Sequence, residues 1–317
     1  MMDTRFTIVV CMFVTEILLT VLGETMWAEW WSYQGISGPD YWGVSNPEYA
    51  LCRIGMYQSP INIEPKSLIY DPNLKILQLE PCRVDGKLYN TGQDITYEIS
   101  DMDFRHLNFT GGPLSYHYRA NKLKIHFGLK DHHGSEHTVD GKSFAAEVQL
   151  LGYNSDLYKN FTEAKYAPHG IAGIAMLAAI GQTPNDRFDR IIQASKRLRV
   201  KGSSIDIYDF DLMSIIPTTE FFITYEGSIT YPGCYETVTW LVVNKPLYIT
   251  KEQLAVLRDL THVDEPARDV LMGNNFRLPK SVNRRLVRTN ITPKSEDEAC
   301  NIKKLISYRM NERFIQV

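Results

Sequence analysis

The sequence predicts a mainly β protein: one large domain with short helices at its periphery. Three observations carry this. Short apolar runs separated by turn residues recur from the sixties to the two-forties, several of them enriched in β-branched and aromatic residues. Helical spacing is confined to a few short stretches, and no fixed-period repeat or low-complexity linker divides the chain. Hydrophobic residues make up 44 % and charged residues 22 % of 317 positions, which supplies a substantial core. The formal charge of −3 gives no electrostatic reason to expect nucleic acid or an acidic membrane surface as a partner.

The chain opens with Met1 to Arg5, short and positively charged, then runs almost wholly apolar from Phe6 to Leu22. Val21-Leu22-Gly23 offers modest residues for cleavage, so residues 1–23 are expected to be a secretory signal peptide. The alternative is a retained signal anchor. Glu16 inside so short a run argues against a bilayer span. With no second such run, the mature protein is expected to be secreted, soluble and extracellular. Three Asn-x-Thr triplets agree with secretion, beginning at Asn108, Asn160 and Asn290. Once Cys11 leaves with the signal, Cys52, Cys82, Cys234 and Cys300 remain. They are too few for a disulfide scaffold but allow one or two bridges.

From Trp27 to Gly43 an aromatic, Gly- and Pro-containing arm is expected to pack onto the body. Ile95-Thr-Tyr-Glu-Ile99 alternates as a half-buried strand should, after the turn residues Asp85-Gly86 and Asn90-Thr-Gly92. Phe221–Tyr225 and Val238–Val243 predict buried strands. Thr183-Pro184 predicts a helix start ahead of Phe188, Ile191 and Ile192. Thr250 with Gln253 predicts a capping box ahead of Leu254 and Leu257. Residues 293–317 form a separate tail: Ile302, Leu305, Ile306 and Met310 fall on one helical stripe just after Cys300.

Half of the eight histidines lie between Lys122 and His137. Lys124 and His126 are two apart in a strand-like run and share a face. Glu147, Gln149 and Leu151 share a face of a second run, Phe144 to Leu151. If the two strands pair, Lys124, His126 and Gln149 converge, with Glu147 behind. One histidine, one amide and one ammonium do not make a zinc site, which needs three good ligands plus an open position.

Gly134-Ser-Glu-His-Thr-Val139, Ala145-Ala-Glu-Val-Gln-Leu150, Gln58-Ser-Pro-Ile-Asn-Ile63, Gly38-Pro-Asp-Tyr-Trp-Gly43 and Gly227-Ser-Ile-Thr-Tyr-Pro232 together resemble the α-carbonic anhydrases. The resemblance covers Trp31 to Asn290 in the family's order. It implies a central, twisted, mostly antiparallel sheet of about ten strands, with the active site as a cone at its centre. It implies zinc held by a His-x-His pair and a third histidine on the next strand, the metal generating the hydroxide that attacks carbon dioxide. Carried over by position, the ligands become Lys124, His126 and Gln149, and the proton shuttle becomes Gln93, which cannot titrate. Thr230 and Glu136 match the pair that orients the zinc hydroxide. Glu147 matches the carboxylate that supports the third histidine. A lysine ammonium about 4 Å from a divalent cation, at an effective dielectric of about 20, is repelled by about 8 kcal/mol. No zinc, no cofactor and no carbon dioxide hydration are therefore expected.

The remaining histidines carry blander expectations. His132 and His133 are expected to be solvated turn residues, a surface metal site being the alternative. His137 is expected to be a hydrogen-bonded framework residue, and His106, His117, His169 and His262 have no ligand-like spacing.

Ile125-His-Phe-Gly128, Pro232-Gly-Cys-Tyr-Glu-Thr237, Asn244-Lys-Pro246 and Arg288-Thr-Asn290 are most similar to the secreted, acatalytic carbonic anhydrase-related proteins, the vertebrate ten and eleven group. Lys124 stands where that group usually has Arg, and Gly233 where it usually has Pro. The resemblance implies a Cys52–Cys234 bridge. Cys82 and Cys300 then either pair with each other, or Cys300 is a tail thiol available for a disulfide-linked dimer or another covalent partner. It implies residues 24–292 as the folded domain and a neuronal, protein-binding role at a cell surface, with a neurexin-like adhesion protein as partner. The rival expectation is a carbonate dehydratase or esterase that recruits zinc through altered ligands.

Overall fold

The computed structural model describes residues 31–101, 105–264 and 270–292. The expected signal peptide and the tail with Cys300 lie outside the described residues. The chain folds around one 13-stranded sheet. Its main path runs β11 (Ser204–Phe210), β4 (Val84–Asn90), β5 (Ile95–Ile99), β7 (Leu114–Phe127), β9 (Ala146–Asn154), β10 (Ile171–Ile180), β13 (Val238–Val243), β12 (Phe222–Gly227), β15 (Arg288–Thr289) and β2 (Ile69–Tyr70). β14 (Leu247–Ile249) adds to β10, β6 (Asn108–Gly111) to β7, and β3 (Gln78–Leu79) to β6. A separate parallel pair joins β1 (Asn62–Ile63) to β8 (Thr138–Val139). The large sheet is mixed: β10 runs parallel to both β13 and β14, and β15 parallel to β2. The sheet exceeds the ten or so strands expected, and the excess consists of very short strands such as β2, β3, β14 and β15.

The central strands are buried on both faces, and the period of two decides what each face holds. Ile125, Val148, Leu150 and Met176 enter one apolar cluster. Leu151, Tyr153, Ala175 and Trp240 enter the cluster on the other face. Lys124, His126, Glu147 and Gln149 have the parity of Leu151, so a polar patch sits inside the second face.

Helices lie at the margins, as expected. α1 (Trp42–Ser45), α2 (Leu51–Ile54) and α3 (Phe161–Ala164) are single turns. α4 (Asp186–Ser195) is capped by Asn185, whose side chain accepts from Phe188 N at 3.1 Å. The expected cap, Thr183, lies two residues too early, because Asn185 is the residue placed to reach the first turn's free N–H. α5 (Lys251–Arg258) carries the expected capping box of Thr250 and Gln253.

The N-terminal arm is anchored by aromatics. Trp31, Tyr33 and Trp42 meet edge to face with centroids 5.4–5.7 Å apart. They pack beside the Cys52–Cys234 disulfide, which closes a separation of 182 residues. Gly233, beside that bridge, has φ +100°, a conformation proline cannot adopt. That accounts locally for glycine at this position. Cys82 is half-buried, its thiol donating to the Arg83 carbonyl at 3.6 Å; any pairing with Cys300 lies outside the described residues.

Candidate functional site

Strand register assembles the site. β7 pairs antiparallel with β9 so that Lys124 faces Gln149 and His126 faces Glu147, while β5 places Thr96 beside Lys124. Lys124, His126 and Gln149 therefore converge as expected, with Glu147 behind them.

The Lys124 ammonium is buried and fully engaged. It lies 2.6 Å from Asp94 Oδ2, donates to Thr96 Oγ1 at 3.2 Å, and sits over the Tyr231 ring at 4.7 Å. Asp94 is 1 % exposed, and its other oxygen accepts from the Thr96 and Thr91 hydroxyls at 2.6 and 3.1 Å. Burial alone would push the Asp94 carboxyl up, but the charge and hydrogen bonds of Lys124, with that of Thr96, hold it below the usual carboxylate range. A fully paired internal ion pair thus joins β7 to the start of β5.

Gln149 is equally committed. Its amide nitrogen donates to Glu136 Oε2 at 2.7 Å and to Glu147 Oε1 at 2.8 Å. The other Glu136 oxygen accepts from the Arg277 backbone N–H at 2.9 Å. Glu147 also accepts from His137 N and lies 2.7 Å from His137 Nδ1; His137 Nε2 meets the Tyr225 hydroxyl at 2.7 Å. Against its burial, His137 and Gln149 hold the Glu147 carboxyl below its usual range. His137 is thus placed as the framework residue the sequence suggested.

Several polar atoms here are buried without a hydrogen-bond partner among the described residues: His126 Nε2, Gln149 Oε1, Thr230 Oγ1 and Tyr33 OH. His126 Nδ1 donates to the Asn275 carbonyl at 2.7 Å, so in the neutral ring Nε2 carries a lone pair. Nε2 approaches Glu136 Oε2 only to 3.7 Å. Burial, with the Glu136 and Asp94 charges, keeps the Tyr33 phenol well above its ordinary range. Gln149 and the Arg277 backbone bond the two Glu136 oxygens, and the buried Thr230 hydroxyl has no hydrogen-bond partner among the described residues.

Comparison with known proteins gives the chain its family. The family model described as eukaryotic-type carbonic anhydrase matches residues 37–291. The chain belongs to the eukaryotic-type carbonic anhydrase family. Carbonic anhydrase-like protein 2 of Caenorhabditis elegans is 40 % identical over 265 residues, 82 % of this chain and 78 % of that protein. Carbonic anhydrase-like protein 1 of the same nematode is 32 % identical over 83 % of this chain and 90 % of that protein.

The zinc that the carbonic anhydrase fold implies does not fit these residues. His126 Nε2 is one good donor, Gln149 Oε1 is a neutral and weak one, and Lys124 offers a cation already held by Asp94. No group of three or more His, Cys, Asp or Glu is placed to hold a metal among the described residues. Catalytic zinc asks for three strong ligands and an open position.

The other expected positions scatter. Gln93 is half-buried, its amide donating to the Trp31 carbonyl at 3.4 Å. His132 is an exposed turn residue, and His133 packs edge-on to Phe276 at 4.8 Å. Asp94, Tyr33, Asn275 and Arg277 went unrecognised in the sequence. Asp94 had a signal: it is two residues from Thr96 on the face that meets Lys124. Asn275 and Arg277 had none, because they lie in irregular backbone.

Proposed function

We propose that this chain is a secreted, catalytically inactive carbonic anhydrase-related protein that serves as an extracellular protein-binding module. The Lys124–Asp94 ion pair at the first ligand position carries the reading. Two ionised groups at 2.6 Å satisfy each other, and bringing in a divalent cation would require breaking the pair or discharging the ammonium. Gln149 reinforces it, because its nitrogen is committed to the Glu136 and Glu147 carboxylates and only a neutral amide oxygen is left to offer a metal. Without zinc no group of the site supplies a hydroxide nucleophile at neutral pH.

The N-terminal apolar stretch and the disulfide support secretion. Among the described residues no helix is long and apolar enough to cross a membrane. The partner is proposed to be a neurexin-like cell-surface adhesion protein, with Cys300 in the tail available for a disulfide to that partner or to a second copy. Expression in animal cells tests the reading in two parts. The purified protein should hydrate carbon dioxide no faster than buffer, and cross-linking on neuronal cells should recover an adhesion protein. Hydration above background would sink the first part, and recovery of no cell-surface protein the second. The rival reading is an enzyme that recruits zinc through altered ligands; it predicts bound zinc and hydration above background in the same preparation.

A further inference from the structure

We infer that Asn160, alone among the three Asn-x-Thr triplets, carries an N-linked oligosaccharide in the mature protein. This rests on the secretion reading above. The structure separates the three sites clearly. Asn160 is the exposed N-cap of α3, its Oδ1 accepting from Glu163 N at 2.9 Å. Its Nδ2 has no hydrogen-bond partner among the described residues, and Thr162 is also exposed.

The other two amides are tied into the sheet. Asn290 Nδ2 donates to the Glu220 carbonyl at 2.7 Å while its Oδ1 accepts from Phe222 N at 3.1 Å, and Ile291 packs against the core. Asn108 lies within β6, which has neighbours on both sides. Its Nδ2 donates to Glu80 Oε2 at 2.9 Å, its Oδ1 is buried, and the Thr110 hydroxyl is bound to the Tyr116 carbonyl. A sugar on either amide nitrogen would crowd the contact that nitrogen makes with Glu80 or Glu220.

The surface around Asn160 also suits a sugar. Leu157 and Tyr166 are 50 % and 57 % exposed, and Tyr158 stands two residues before the asparagine. Exposed apolar side chains this near in sequence to an attachment point offer a face to the first sugar ring. In the transfer, Asn160 Nδ2 attacks the anomeric carbon of a polyprenyl-diphosphate-linked oligosaccharide. The C–N bond forms, the C–O bond to the diphosphate breaks, one Nδ2 proton passes to a base of the transferase, and the lipid diphosphate departs. A glycan there assigns this face to solvent and leaves a protein partner the remaining surface.

The test expresses the full chain in animal cells and recovers it from the medium. Removing the sugar with a glycosidase in heavy-oxygen water labels each formerly glycosylated asparagine as a heavy aspartate. Label is expected at position 160 only. Thr162→Ala, which spares the Asn160 cap, should abolish the one-step gel shift, and Thr162→Ser should keep it. Asn108→Gln and Asn290→Gln should leave it unchanged. Label at 108 or 290, or a secreted chain with no label, overturns the assignment while secretion stands. A chain retained inside the cell without sugar overturns the secretion reading and the assignment together.

Discussion

Replacing Asp94 by asparagine would leave the buried Lys124 ammonium without its counter-charge. At 2.6 Å and an effective dielectric of about 20 the pair attracts by about 6 kcal/mol, most of which offsets the cost of burying two charges. Removing one partner leaves the desolvated charge uncompensated, so Asp94→Asn should lower stability by about 3–5 kcal/mol at pH 7. Lys124→Met added to Asp94→Asn should recover much of that loss, because no unpaired charge remains, with a coupling of about 2–3 kcal/mol. Urea unfolding of the four proteins, with unchanged m, reads these values directly. The pH dependence has a defined sign. The folded Asp94 carboxyl titrates below its ordinary value of about 3.9, so its contribution is complete above that pH and fades as pH falls through the lower folded value. The wild-type and Asp94→Asn curves should therefore approach each other below about pH 4. A loss under 1 kcal/mol at pH 7, a double variant no more stable than Asp94→Asn, or a gap that persists at low pH would refute the ion-pair account.

Three further outcomes follow from the same structure. Lys124→His with Gln149→His should create a zinc site, seen as one bound zinc per chain, since His126 Nε2 already faces the pocket; hydration should stay slow because Gln93 carries no titratable proton. Tyr225→Phe should cost about 1–3 kcal/mol in denaturant titration, because it strips the hydroxyl from buried His137 Nε2 and the donor from Ser59 Oγ. Replacing Cys52 and Cys234 by alanine should lower stability by about 2–5 kcal/mol, the closure of 182 residues setting an upper figure near 5 in the chain-entropy view.

Much of the architecture was legible because period and punctuation are local signals. Ile95–Ile99 and Val238–Val243 are strands over the residues expected, and the Thr250 capping box forms as read. β7 was longer than its legible part, since its first half is separated by a register shift between Ala120 and Lys122 that interrupts the alternation. The polar residues of the pocket were legible through register alone: once β7 and β9 pair, side-chain parity brings Lys124, His126, Glu147 and Gln149 together. What answers the Lys124 charge was not legible, because Asp94 comes from β5's approach and reads like any polar residue after a turn. Which groups bond Glu136 was likewise hidden. That depends on Arg277, 141 residues away in irregular backbone, and on one amide nitrogen bridging two carboxylates.

Zinc stoichiometry of the unmodified chain tests the central claim most directly. The protein, secreted from zinc-supplemented animal cells and dialysed against metal-free buffer, should contain far less than one zinc per chain by plasma mass spectrometry. One equivalent of zinc, lost on conversion of His126 to alanine, would show that this pocket still holds the metal and would contradict the account.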